Sequence, residues 1–159
     1  MDARAPGAAQ GIVDLISEAP TGTFDSALVA YGWNLSNQEA APALDYCSAH
    51  GIPVHIAGIF WSPGGNVHVL EADPTKLAAT DSKLMLGWAR LAAAHGTSLA
   101  ALSIGFATLH PAITKVVLGV ASAVEVDHNL KIATGPPIAA TVWREAKAAG
   151  LLAQGVRVP

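Results

Sequence analysis

The residues best placed to do chemistry lie between Val116 and Leu130, in the stretch VVLGVASAVEVDHNL. The apolar run Val116-Val117-Leu118 ends at Gly119, and Ser122 stands three residues before Glu125. Ser-x-x-Glu is a capping box: the Ser hydroxyl accepts the backbone N–H of Glu125, and the carboxylate reaches back to the N–H of Ser122. A strand that ends in Gly and turns into a capped helix points backbone N–H groups at open space, which suits an anion such as a phosphate. Many strand-to-helix turns have the same layout and bind nothing, so the pattern alone leaves both readings open. The six His residues include no spacing such as H-E-x-x-H, and a single Cys precludes a thiolate cluster, so no metal site is assigned. His50 and His95 precede Gly51 and Gly96 at expected helix ends, where the dipole favours a cation. His55 alternates with apolar neighbours and reads as a core histidine, and Cys47 as an inert core thiol.

The elements that must position these residues follow from the punctuation. Residues 9–18 are periodic and helical, stopped by Pro20-Thr21-Gly22. Phe24 to Leu35 reads as a strand. Ser36 and Glu39 form a second capping box, opening a helix that Gly51 closes. Ile52 to Trp61 is a near-continuous apolar run, the mark of a parallel strand buried on both faces. Ser62 to Thr80 reads as a loop with a short apolar patch at Val67 to Leu70. Helices are expected over 82–95 and 98–109, the latter capped by Ser98, then a strand over 114–120. Helices over 122–132 and 137–149 close the chain, the last opened by Pro136-Pro137. The order implies parallel strands joined by crossovers, in one domain spanning 1–159.

Composition limits the partners. Of the 159 residues, 52% are apolar and only 13% charged, which suggests surfaces buried against something else. A net charge of −3 gives no basic footprint for nucleic acid. Leu91 to Thr114 lacks charged residues, but His95-Gly96-Thr97-Ser98 and His110-Pro111 break it below the roughly 20 residues a membrane helix needs. The N-terminus lacks the basic-then-apolar layout of a signal peptide, and one cysteine precludes an internal disulfide, so a cytoplasmic setting is expected.

A strand followed by G-x-x-S-x-x-E-x-x-x-N-L resembles the last barrel strand and cofactor-binding helix of the aldo/keto reductases, closest to their sugar-dehydrogenase branch. The segment VHIAGIFWSPG, Val54 to Gly64, is similar to the seventh-strand segment of that branch, and YGWNLSNQ, Tyr31 to Gln38, to the sixth. The likeness runs from about residue 9 to about 154 in the same order. It implies the C-terminal half of a TIM-type (β/α)8 barrel, which when whole typically needs about 250 residues. The family's catalytic Asp, Tyr, Lys and His belong to the first four strands, which nothing here resembles, so no catalytic residue is assigned.

The same resemblance implies a nicotinamide dinucleotide site, NAD or NADP. Gly119, Val120, Ala121 and Ser122 match positions around the 2′ side of the adenosine. Glu125 stands where NADP-preferring members carry an Arg, and Gly119 where many carry a Lys. Both departures remove partners for a 2′-phosphate. Glu125 either accepts from a ribose hydroxyl or only completes its capping box. Asn129 matches an Asn that contacts the adenine edge, beside a departure at His128. Gly58, Phe60 and Ser62 match the stretch beneath the pyrophosphate, while Trp33 and Asn34 fall where a sugar substrate sits. A Trp at a strand end is also commonly core or rim.

The sequence therefore implies a cofactor-binding half that lacks the catalytic half and is inactive alone, with a non-catalytic binding or self-association module as the alternative. A further alternative is a truncated reading frame whose other half is encoded upstream. Three parallel strands cut from a barrel would leave two open edges and an apolar inner face of Val54, Ile56, Ile59 and Val116. The expected partners are thus a second copy, as a homo-oligomer, or the missing N-terminal half. A monomer closed by the 62–80 segment or the last helix is the competing solution.

Overall fold

The computed structural model describes residues 8–20, 22–79 and 82–159. Eleven elements are found among them. Helix α1 (Ala8–Glu18) leads into β1 (Ala27–Ala30), α2 (Ala41–Ala49) and β2 (Val54–Ala57). Four helices then cross over: α3 (Val67–Ala72), α4 (Pro74–Ala79), α5 (Lys83–Ala94) and α6 (Leu99–Ala107). Strand β3 (Ile113–Val117) is followed by α7 (Ala123–Ala133) and α8 (Ala140–Ala148). The strands form one parallel sheet in the order β1-β2-β3. This is an α/β fold. No described helix is long and apolar enough to cross a membrane.

Local chemistry explains several boundaries. Ser98 Oγ accepts the N–H of Ala101 and starts α6, and Ser122 Oγ accepts the N–H of Glu125 and starts α7. His50 and His95 are the C-cap residues of α2 and α5, each followed by a glycine in the left-handed region. Cys47 is buried, and burial pushes its thiol pKa up.

Other expectations need correction. The Ser36–Glu39 box caps nothing: α2 starts at Ala41, after an Ala40 N-cap with no side-chain bond. Ser36 is taken instead by Asn34, whose Oδ1 accepts from both its N–H and its hydroxyl at 2.9 Å. Pro42, in the first turn, sets the helical φ without a donor to satisfy. The strands are shorter than their apolar runs, because Tyr31 and Gly58 turn the chain out with φ of 66° and 68°. The 62–80 segment holds α3 and α4, where Asn66 caps α3 and Val67 and Leu70 reach the core. The last helix starts at Ala140, three residues past the expected start at Pro137, with no side-chain cap.

The face of the sheet that is buried also differs from expectation. Val29, Val54 and Ile56 are fully buried against the helices, and Ile59 is 1% exposed, so these residues are not an open inner face. Alternation along the register instead puts Leu28, His55 and Lys115 on the other side, followed by Ala30, Ala57 and Val117. There Leu28 is 46% and Val117 43% exposed, Lys115 is exposed, and His55 is half-buried rather than in the core.

The core centres on stacked and tilted aromatics. Trp33 stacks on Phe106 with ring centroids 4.7 Å apart, and Trp143 meets both Phe106 and Trp88 at 6.5 Å. Trp88 Nε1 donates to the Leu35 carbonyl at 2.8 Å, tying α5 to the chain after β1. Each such ring buries a large apolar area, so this cluster fastens the crossover helices to the sheet.

Candidate functional site

All three strands run the same way, so their C-terminal ends gather at one edge of the molecule. Ala30 and Ala57 are paired, and the residues that follow them, Tyr31 and Gly58, are both left-handed, with the Tyr31 N–H donating to the Ala57 carbonyl at 3.0 Å. Val117, paired with Ala57, leads to Leu118 and Gly119. Two cavities open here. One, of about 500 Å³, is lined by residues including Tyr31, Gly58, Trp61 and Val117. The other, of about 460 Å³, lies against α3 and α7 and is lined by His68, Glu71, Glu125, His128 and Asn129, among others. Phe60, Asn66 and Gly119 border both, so the two cavities adjoin and together make up the groove at this edge.

Loop geometry holds the groove open. Asn34 is completely buried, and its Nδ2 donates to the carbonyls of Tyr31 and Gly58 at 3.0 and 3.4 Å. Its Oδ1 accepts from the N–H groups of Ser36 and Asn37, both at 2.9 Å. Both ends of the carboxamide are therefore used to fix the turns after β1 and β2. The Tyr31 ring meets Trp61 edge-on at 6.2 Å.

The α3–α7 cavity has an aromatic wall. Phe60 and His68 have ring centroids 4.4 Å apart, and His68 and His128 5.4 Å. Asn129 is 5% exposed, and no hydrogen-bond donor is aligned on its Oδ1. Glu71 Oε1 accepts the N–H of Leu99 at 2.8 Å, anchoring α6. Glu125 Oε2 accepts the N–H of Ala121 at 2.8 Å, rather than that of Ser122. The chain's own carboxylate thus occupies the N-terminal end of α7, where a phosphate would otherwise be favoured. No Lys or Arg lines either cavity. Burial, helped by the adjacent His128, holds the His68 pKa below its usual value, against the pull of Glu71, Asn129 and Glu125.

Of the expected cofactor residues, Gly58, Phe60, Gly119, Glu125 and Asn129 line the groove. Val120, Ala121 and Ser122 are exposed on the turn into α7 and line neither cavity. Ser62 is buried and used internally, its hydroxyl donating to the Gly65 carbonyl at 2.6 Å. The proposed sugar contacts are not in the groove: Trp33 packs in the core and Asn34 in the turns, because the chain reverses at Tyr31 and carries both inward.

His68 and Glu71 escaped the sequence reading because their helix lies within a segment read as loop. The available signal was Asn66 before the Val67 to Leu70 patch, an N-cap followed by an i, i+3 apolar pair. Among the described residues, no group of three His, Cys, Asp or Glu side chains is placed to hold a metal ion. No family model matches the chain, and no match is found among curated proteins.

Proposed function

We propose that this chain is the ligand-binding half of an aldo/keto reductase-like barrel of the sugar-dehydrogenase branch, which holds a nicotinamide dinucleotide weakly and does not itself transfer hydride. The observation that supports this is convergence. Gly58, Phe60, Gly119, Glu125 and Asn129 lie up to 71 positions apart, yet line two adjoining cavities at the C-terminal ends of parallel strands. Open α/β sheets and barrels bind their ligands at that edge.

The residues present can bind and orient but have no assigned proton-transfer group. A bound nicotinamide would supply or accept hydride, and a Tyr acid/base would be needed at the substrate oxygen. Neither Tyr31 nor Tyr46 stands in the sequence context of the family's catalytic Tyr, so neither is assigned that role. The groove has Glu125 and no Lys or Arg, which disfavours NADP against NAD and keeps any affinity for pyrophosphate low. Calorimetric titration with NAD and NADP, with steady-state assays on a panel of aldoses and aldehydes, tests the reading. It expects weak binding of NAD in preference to NADP and no turnover above blank. Tighter binding of NADP or clear turnover would overturn it.

A second reading, self-association, rests on a different observation. The sheet face bearing Leu28 and Val117 stays half open, and α7 exposes Val124, Val126 and Leu130. A second copy, or a complementary N-terminal half, would cover them.

A further inference from the structure

We propose that residues 151–159 form a strap that opens about Gly150 as a separate unit, with Asp45 as its latch. The rest of the fold stays closed, and the strap is a part of the chain that the dinucleotide reading does not use.

Three features of this segment carry the inference. First, side chains hold it. No residue from 151 to 159 lies in a helix or strand. The Leu151 N–H closes α8 on the Ala146 carbonyl at 2.9 Å, and the Val156 N–H turns back to the Ala153 carbonyl at 3.0 Å. Among the described residues, every other hydrogen bond that ties the strap to the body runs through a side chain. Gln38 grips it with both ends of its carboxamide: Nε2 donates to the Leu151 carbonyl at 3.3 Å, and Oε1 accepts the Ala153 N–H at 2.7 Å. Lys147 Nζ donates to the Val156 carbonyl at 2.7 Å. Arg157 Nη2 donates to Asp45 Oδ1 at 2.6 Å.

Second, opening leaves no buried polar group stranded. His110 Nε2 lies 3.2 Å from the same Asp45 oxygen, so Asp45 keeps a partner when Arg157 leaves. The Ala112 N–H donates to His110 Nδ1 at 3.2 Å, which puts the ring proton on Nε2, toward Asp45. Arg157 and Lys147 are exposed and Gln38 is half-buried, so water replaces their bonds. What holds the strap is then mainly the burial of Leu151, Leu152 and Val156. Leu151 rests over Gly87 of α5, where a Cβ would lie 2.5 Å from Leu151 Cδ2.

Third, the backbone is free to turn. Gly150 has a φ of 71°, and a Cβ built there or at Gly155 would meet no atom within 4 Å. Hinges are residues of this kind at the end of an element.

The charge on Asp45 makes the latch. Burial would raise its pKa, but the bonds from His110 and Arg157 outweigh it and hold the carboxyl below its usual value. Asp45 is therefore ionised at neutral pH, and its bond from Arg157 is charge-assisted. Both side chains are more than half exposed, so the pair is weak enough to release.

Native-state hydrogen exchange of the full chain at pH 7, read amide by amide, tests the proposal. The Ala153 and Val156 amides should exchange together, at least about tenfold faster than the Val29 and Ile56 amides of the sheet. Arg157→Gln should speed Ala153 and Val156 by about two- to fivefold and leave Val29 and Ile56 unchanged. Asp45→Asn, which keeps an oxygen for His110, should do the same. The double variant should go little further than either single one, because both changes break one bond. Exchange of the Ala153 and Val156 amides at the rate of the sheet amides would make the segment part of the global unit and overturn the proposal. So would equal acceleration of strap and sheet in Arg157→Gln, or a strap indifferent to both variants.

Discussion

The Tyr31 ring covers Gly58 so closely that a Cβ built at position 58 would lie 2.5 Å from its Cδ1. The two residues follow the paired ends of β1 and β2, and both sit in the left-handed region. Asn34 donates to both their carbonyls, so two turns are locked as one unit. Tyrosine holds that conformation at a cost of about 1 kcal/mol, which the shared packing and hydrogen bonds offset.

Gly58→Ala should therefore destabilise the fold by about 2–4 kcal/mol, from the left-handed φ and the clash with the ring together. With Tyr31→Gly in the same chain the ring is gone and only the φ penalty at 58 remains. The double variant should then lose less than the sum of the two single changes. Urea denaturation of the four proteins measures this, and strict additivity would mean the ring does not press on Gly58.

Asn34→Ala should cost about 2–4 kcal/mol, since it strips acceptors from two N–H groups and a donor from two carbonyls in a buried setting. Asn34→Asp keeps the acceptors but turns a negative oxygen toward those carbonyls, and should not rescue the loss. A stability within a few tenths of a kcal/mol of the parent would contradict the structural role given to Asn34 and reopen a ligand-facing one.

Glu125→Arg separates the capping and binding roles of one residue. Loss of the bond to the Ala121 N–H, and a cation at the start of α7, should destabilise by about 0.5–2 kcal/mol. The same change should move dinucleotide preference toward NADP, by supplying a partner for a 2′-phosphate. A stability loss without any change in preference would leave Glu125 as a cap alone.

His68 makes stability fall on the acid side. Its folded pKa is lower than the 6.5 of the free side chain, so below pH 6.5 the unfolded chain binds more protons. The stabilisation from keeping His68 neutral is fully present above 6.5 and is lost progressively as pH falls from there toward the folded pKa. His68→Asn should flatten part of this slope, read as the shift in urea midpoint between pH 7.5 and 5.5. Parallel slopes for the two proteins would remove His68 as the source.

Self-association is tested by light scattering coupled to size exclusion at micromolar concentration. The parent should run above monomer mass, and Val117→Asp, which puts a charge on the open face, should restore the monomer. A parent that is already monomeric would remove the need for a covering copy.

The sequence by itself determined what is local. The Ser98 and Ser122 caps and the glycine stops at Gly51 and Gly96 depend on neighbours within four residues, and each lies in its expected place, while the apolar run from Ile52 to Trp61 marked β2 but not its end at Ala57. The parallel direction of the strands was legible for the same reason, since a helix between strands returns the chain in the same direction. Whatever depended on competition between distant groups was decided only in the tertiary structure. Ser36 had the spacing of a cap, but Asn34, held by Gly58 from 24 positions away, took its donors. Helix α3 is too short to stand on its own propensity, and it forms because Val67 and Leu70 find a core and Glu71 an N–H at Leu99. Apolar residues occur on both faces of the sheet, so alternation could not tell Val54 and Ile56 from Leu28 and Val117. The helices chose the buried face by packing against one side. The groove follows from that choice, because it brought His68, from a segment read as loop, against His128 and Asn129 of α7.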